Sequence, residues 1–151
     1  MSRSPKLRAW PGAMTFKNAA AGLPHGGGKA GIIADPSMPI TAKERLIRAF
    51  AAGIREIASY IPGPDIGLNE ECMAWIQDEI GRVAGLPRVL GGIPLDEIGA
   101  TGYGLAIAAE VAAPIAGIDL RGARIAVEGF GAVGIDSLCY CKTERSATSG
   151  R

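Results

Sequence analysis

The sequence predicts an α/β fold, and three observations predict it. Glycines number 22 in 151 residues while aromatics make up only 5%. That balance suits tight turns and closely packed backbones. An apolar run at Arg124–Glu128 leads straight into Gly129-Phe130-Gly131-Ala132-Val133-Gly134, a buried strand feeding a glycine loop. Between these lie segments with apolar residues at spacings of three and four, the signature of helices with one buried face. At 151 residues, 48% of them hydrophobic, the chain is long enough for one ordinary domain or one and a half small ones.

Each element follows in order. Residues 1–12 are polar, basic and proline-punctuated, and read as a loose leader. Met14–Leu23 fits a short helix or a strand equally well. Gly31–Asp35, GIIAD, is a short apolar run closed by Asp-Pro and reads as a buried strand. Thr41 and Glu44 in TAKE form a capping box. Behind it Leu46, Ile47, Phe50, Ile54, Ile57, Ala58 and Ile61 make one apolar helical face that Pro62 stops. IPGPDIG, residues 61–67, is a loop stiffened by two prolines. Asn69 caps a second helix, with Met73, Ile76, Ile80 and Val83 inside and Gly85 at its end. LPRVLGGIP, residues 86–94, is a loop with a short apolar centre. GATGYGLAIAAEVAA, residues 99–113, is a helix whose small residues suit close packing on a neighbour. After Gly134 apolar residues thin out and no second strand follows.

Composition removes several function classes. Net charge is +1 with no long run of one sign, so nucleic acid lacks the basic face it needs. The longest apolar stretch, near Gly104–Ile118, contains Glu110 and Pro114 and is too short to span a bilayer. The first residues carry no apolar core of a secretion signal. The expectation is a soluble cytoplasmic protein with no membrane partner. Cys72 falls within a helical pattern and reads as a buried thiol. Cys139 and Cys141, with a single histidine in the chain, supply too few ligands for a zinc site.

Chemistry concentrates in two glycine loops. In Gly129–Gly134, G-x-G-x-x-G, the first glycine turns the chain and the second admits a pyrophosphate. The third lets helix and strand pack. A working unit continues through a helix and a second strand, with an acid about 20 residues on; only 17 residues follow Gly134. LPHGGGKAGII, residues 23–33, ends its glycines on Lys29. It is not a P-loop, because Leu23 and Ala30 stand where that pattern wants glycine and a hydroxyl. A lysine between a glycine loop and a buried strand is partly desolvated, which lowers its pKa and suits it to catalysis; a solvated turn lysine is the plainer reading. Lys17 reads as a surface lysine, unless residues 18–28 fold back as a strand or hairpin. Both amines then face one cleft and hold a carboxylate. Asp65, held stiffly in GPDIG, either caps a turn or moves protons across a cleft from Lys29. His25 reads as a loop residue, and Trp10 and Trp75 as packing or surface residues rather than a stacking platform.

The order MTFKNAAAGLPHGGGKAGI, DP, long helix, PGPDIG, MAWIQDE, GGIPLDEIGATGYG, GFGAVG resembles the glutamate/leucine/phenylalanine/valine dehydrogenase family over residues 13–134. PGPDIG, MAWIQDE and GATGYG are most similar to its glutamate members. The resemblance implies a substrate-binding and oligomerisation domain over residues 13–98 and the beginning of a Rossmann-type dinucleotide-binding domain over 99–134. Residues 1–12 stand before them as a leader, and 135–151 as a tail unlike the family. It implies Lys29 and Asp65 as catalytic groups. Lys17, with Gly27 and Gly28, would take the substrate, an amino acid or 2-oxo acid. Thr101 would approach the nicotinamide, and Gly129, Gly131 and Gly134 would hold the dinucleotide, with NAD and NADP both open. The implied reaction is oxidative deamination of an L-amino acid, glutamate before others, by a homo-oligomer. Family segments upstream of MTFK and downstream of GFGAVG, and the arginine common before ATG, are not in this chain. Little or no turnover is therefore expected of it alone. A non-catalytic assembly module derived from the substrate domain is the alternative.

Overall fold

The computed structural model describes residues 5–35, 37–129 and 131–147. Residues 1–4 of the expected leader, 148–151 of the expected tail, Pro36 of the Asp-Pro step and Phe130 of the glycine loop lie outside them. The chain divides into two units, Met1–Ile61 and Pro62–Arg151.

The first unit holds helix α1, Pro5–Ala20, and helix α2, Ile40–Gly53. The loose leader is thus helical from Pro5 onward, and the ambiguous Met14–Leu23 segment is helical through Ala20. Pro11 is tolerated inside α1, although proline withholds one backbone donor from the helix. The chain reverses just beyond α1, where Gly22 (φ +68°) closes the end. There the amides of Ala21, Gly22 and Leu23 bond the carbonyls of Lys17, Ala19 and Asn18 at 3.1, 3.0 and 2.9 Å. This is the positive-φ glycine stop of a helix.

Helix α2 departs from expectation at both ends. Its N-cap is Pro39 with no side-chain cap bond, so the Thr41–Glu44 box does not form. The Pro39 carbonyl takes the Ala42 and Lys43 amides at 2.9 and 3.0 Å. Glu44 instead pairs with Arg48 one turn on, at 2.9 Å. Of the predicted apolar face only Ile47 is buried; Ala51, outside that face as read, is buried with it. The helix ends at Gly53 rather than at Pro62, and the next residues run in three-residue turns, Ile57 to Ile54 and Tyr60 to Ile57, both 3.0 Å. Glycine, with the most backbone freedom to lose, is a weak helix former. Ile57 and Ile61 stay half-exposed, so the last turns of the pattern bury too little to extend the helix.

The second unit holds α3 (Glu70–Ile80), a short 3-10 turn at Arg88–Leu90, α4 (Ala100–Ile115) and α5 (Ala132–Ala147). The Asn69 side chain accepts the Cys72 amide at 3.1 Å, the cap the sequence predicts. The helix ends on Gly81 in the left-handed region (φ +68°), four residues before Gly85, so Val83 lies past it. Cys72, Met73, Trp75 and Ile76 fill the core of this unit. Helices α4 and α5 pack on each other. Gly102 allows this: a Cβ there would run into the Asp136 Cβ, with the Ser137 amide nitrogen at 2.7 Å. The expected close-packing helix is thus present. Its partner, α5, formed over the segment where the sequence shows few apolar residues and no second strand.

Neither predicted strand is realised among the described residues. Residues 31–35 and 124–128 form no ladder and no helix, and the chain bends at Glu128. Ile33 is fully exposed (103%) and Ile125 and Val127 are 46% and 38% exposed. A strand exists only beside another about 4.8 Å away, and neither segment finds one. No helix of the described residues is long and apolar enough to cross a membrane.

Candidate active site

The glycine-lysine loop is tied along α1. Asn18 donates from Nδ2 to the Gly26 carbonyl at 3.1 Å, and the Gly27 amide donates to Thr15 Oγ1 at 2.8 Å. That hydroxyl in turn donates to the Pro11 carbonyl at 2.9 Å. Gly27 must be glycine: a Cβ there would land on the Pro11 carbonyl oxygen, with Thr15 N at 2.7 Å and Met14 Cβ at 2.8 Å. Residue by residue the loop therefore runs back from Asn18 toward Trp10. From the sequence, a fold-back of residues 18–28 as a strand or hairpin is one of two open readings. The structure makes the reversal with an irregular loop, held by two side chains of α1 and a glycine contact.

That path delivers Lys29 to Trp10, whose ring centroid lies 5.1 Å from the ammonium nitrogen. Such a cation–π contact contributes roughly 0.5–1 kcal/mol at an exposed site. Tyr60 covers the other side of the loop. A Cβ on Gly28 would meet two of its ring carbons at 3.0 Å, and the Ala30 backbone hydrogen-bonds its hydroxyl. Burial raises the Tyr60 pKa above its ordinary value, and the Ala30 bond offsets part of that. Lys29 is half-buried between these contacts. Lys17 lies on α1 seven residues beyond Trp10, two turns along the same face or about 10 Å of helix rise. It is exposed, as is His25.

Asp65 sits in the second unit, exposed, where its carbonyl accepts the Leu68 amide at 2.8 Å. The loop carrying it is anchored from behind. Pro62 accepts the Ala84 amide at 2.8 Å, and Gly85 leaves room for the Pro64 ring, whose Cδ would be 2.7 Å from a Cβ there.

The third cluster gathers around α4 and α5. Gly129 turns the chain at φ +89°, and a Cβ on Gly134 would sit 2.5 Å from the Gly129 carbonyl oxygen and 3.3 Å from Val127 Cγ1. Gly131 has nothing within 4 Å of its missing Cβ. A tight first glycine, an open second and a close-packed third, at the start of a helix, fit a dinucleotide pyrophosphate. The adjoining segment, residues 124–128, has no ladder partner among the described residues. Thr101 is exposed in the first turn of α4. That turn crosses α5 at Asp136, whose carboxylate carbon would be 2.9 Å from a Gly99 Cβ. Tyr103 and Tyr140 meet edge to face at 5.1 Å there. Thr101 and the glycine loop thus belong to one helix pair.

Sequence reasoning missed Trp10, Tyr60 and Asp136. The glycines themselves were the available signal: Gly27, Gly28 and Gly102 each mark a place where a neighbour presses close.

Residues 2–82 match the model of the Glu/Leu/Phe/Val dehydrogenase dimerisation domain, more than half of the chain. The chain belongs to the Glu/Leu/Phe/Val dehydrogenase family. Residues 91–147 match the family's second model, described as Glutamate/Leucine/Phenylalanine/Valine dehydrogenase; that match takes in the whole of α5. The chain is 40% identical over 142 residues to the NAD-specific glutamate dehydrogenase of Clostridioides difficile, covering 85% of this chain and 34% of that protein. It is 42% identical over 134 residues to the catabolic NAD-specific glutamate dehydrogenase RocG of Bacillus subtilis (strain 168), covering 80% and 31%. Among solved structures it resembles the hetero-hexameric glutamate dehydrogenase of Thermus thermophilus in its Leu-bound form. The TM-score is 0.76 at 33% identity, over 95% of this chain and 37% of that one. The chain spans about a third of the length of the relatives it matches. The family's fold class is α/β, as the sequence predicts, and the helices of this chain are the part of it realised among the described residues.

Proposed function

We propose that this chain carries the substrate-binding part of an NAD-linked L-amino-acid dehydrogenase that interconverts glutamate with 2-oxoglutarate and ammonia. The observation that carries this reading is the clamped loop, which brings one lysine of a family motif to a fixed, half-buried place. In this reading residues 13–98 bind substrate and mediate assembly, and 99–134 begin the dinucleotide-binding domain.

The α-carboxylate of the substrate is held by Lys17. Lys29 activates the water that attacks the imine carbon and holds the charge that develops on the carbinolamine oxygen. Asp65 carries protons to and from the amine nitrogen. Gly27 and Gly28 serve the substrate by letting the loop lie flat against α1 and Tyr60, so that Lys29 does not drift. NAD, when bound, supplies the redox chemistry by accepting the hydride from Cα. Gly129, Gly131 and Gly134 with the start of α5 would hold its pyrophosphate, and Thr101 would stand toward the nicotinamide. The specificity of the relatives for NAD favours that cofactor over NADP. On this reading the chain works in the cytoplasm, where thiols such as Cys72 and Cys139 stay reduced.

Calorimetric titration of the intact chain with 2-oxoglutarate and, separately, with ATP tests the reading. Heat from 2-oxoglutarate and none from ATP is expected. Binding of ATP alone would assign the lysine loop to phosphate and overturn it.

A second reading rests on the exposed apolar side chains, among them Phe16, Ile33, Ile66, Val89 and Ile115 at 78–103%. Faces of this kind suit assembly with further copies of the chain. On this reading the chain associates without turning over substrate.

A further inference from the structure

The reaction assigned above does not use Trp10, yet the Lys29 ammonium lies over its ring. Two independent contacts fix the lysine's backbone. On one side Gly27 is bonded to Thr15 and pressed against Pro11. On the other Tyr60 spans Gly28 and Ala30, the two residues flanking Lys29. With the backbone fixed, the side chain has a short range of reach, and its ammonium nitrogen comes to rest 5.1 Å from the Trp10 ring centroid. Trp10 is itself held in the middle of α1 and is 40% exposed, so the amine stands at a surface that solute can approach.

We propose that Trp10 is a positioning residue for Lys29, holding the ammonium in place for an incoming 2-oxo or amino acid. The inference rests on the reading of Lys29 as the catalytic amine. An indole face attracts a cation along one direction and offers no negative charge. It therefore orients the amine without neutralising it, whereas a carboxylate in the same place would compete with the substrate for that charge. Neighbouring Pro11 lends its carbonyl to the Thr15 hydroxyl that binds Gly27. One short stretch of α1, Trp10–Thr15, thus sets both the loop and the tip of the lysine.

The test uses the intact chain with its lysines reductively dimethylated with carbon-13, which keeps their charge. The Lys29 methyl resonance, assigned by its loss in Lys29→Arg, is expected upfield of those of Lys17 and Lys43 because of the indole ring current. It should return among them in Trp10→Ala and stay partly displaced in Trp10→Phe. The affinity of the unlabelled chain for 2-oxoglutarate should fall about two- to fivefold in Trp10→Ala and be partly rescued in Trp10→Phe. A Lys29 resonance coincident with the others in the parent chain, or unmoved by Trp10→Ala, overturns the proposal. So does a displaced resonance with equal affinity in parent and variant. If the resonance is displaced but 2-oxoglutarate binds neither protein, the hold on the ammonium stands and the substrate reading of Lys29 is what fails.

Discussion

Gly27 and Tyr60 decide where Lys29 stands, and each makes a prediction of its own. Gly27→Ala pushes a methyl group onto the Pro11 carbonyl and against Thr15 and Met14. Backbone atoms give way poorly, so the loop must lift off α1. We expect a loss of about 1–3 kcal/mol in urea unfolding, with Gly26→Ala, whose position is open, as the near-neutral control. Tyr60 speaks through pH. Burial holds its folded-state pKa above the ordinary value of 10.0. The folded state therefore keeps a proton that the unfolded state releases, and stability falls as pH climbs from about 10 through the raised value. Thermal melting across the alkaline range should show this decline in the parent chain and a shallower one in Tyr60→Phe. Identical alkaline limbs would remove Tyr60 from the account.

At the scale of elements, helix starts separate what the sequence states from what the fold uses. Asn69 caps α3 through its side chain, so Asn69→Ala should cost about 1 kcal/mol. Thr41 looks like an equally good cap in the sequence, but Pro39 serves that end of α2. Thr41→Ala should therefore stay within about 0.5 kcal/mol; denaturant midpoints of the two variants compare them directly. Helices α3 and α4 were legible because local signals agree there: a cap, a periodic face, a small-residue stripe and a glycine stop. Residues 31–35 and 124–128 carry strand-like composition, but a strand is a relation between segments, and no partner lies beside either among the described residues. Helix α2 was read too long because Ile57 and Ile61 keep the period past Gly53 without being buried. The site was legible where glycines and a lysine stand in order. Trp10 and Tyr60 were not, because they reach the loop across 19 and 32 residues and no spacing rule encodes that distance.

At the scale of the molecule, the balance of buried and exposed surface points outward. Among the described residues Ile47, Met73, Ile76 and Cys72 are the largest fully buried side chains, while Ile33, Val89, Ile66 and Ile115 lie at 85–103% exposure. Burying such surface is worth roughly 25 cal/mol per Å², so association is expected in light scattering at micromolar concentration. Ile33→Asp should shift the mass distribution toward smaller species; a monodisperse monomer for the parent chain would speak against the assembly reading. The central claim is chemical and turns on one amine. Titration of 2-oxoglutarate into the parent chain, Lys29→Met and Lys43→Met tests it most directly. The account predicts heat of binding in the parent and in Lys43→Met, and its loss in Lys29→Met with the far-ultraviolet spectrum unchanged. Equal affinity in all three proteins would contradict it.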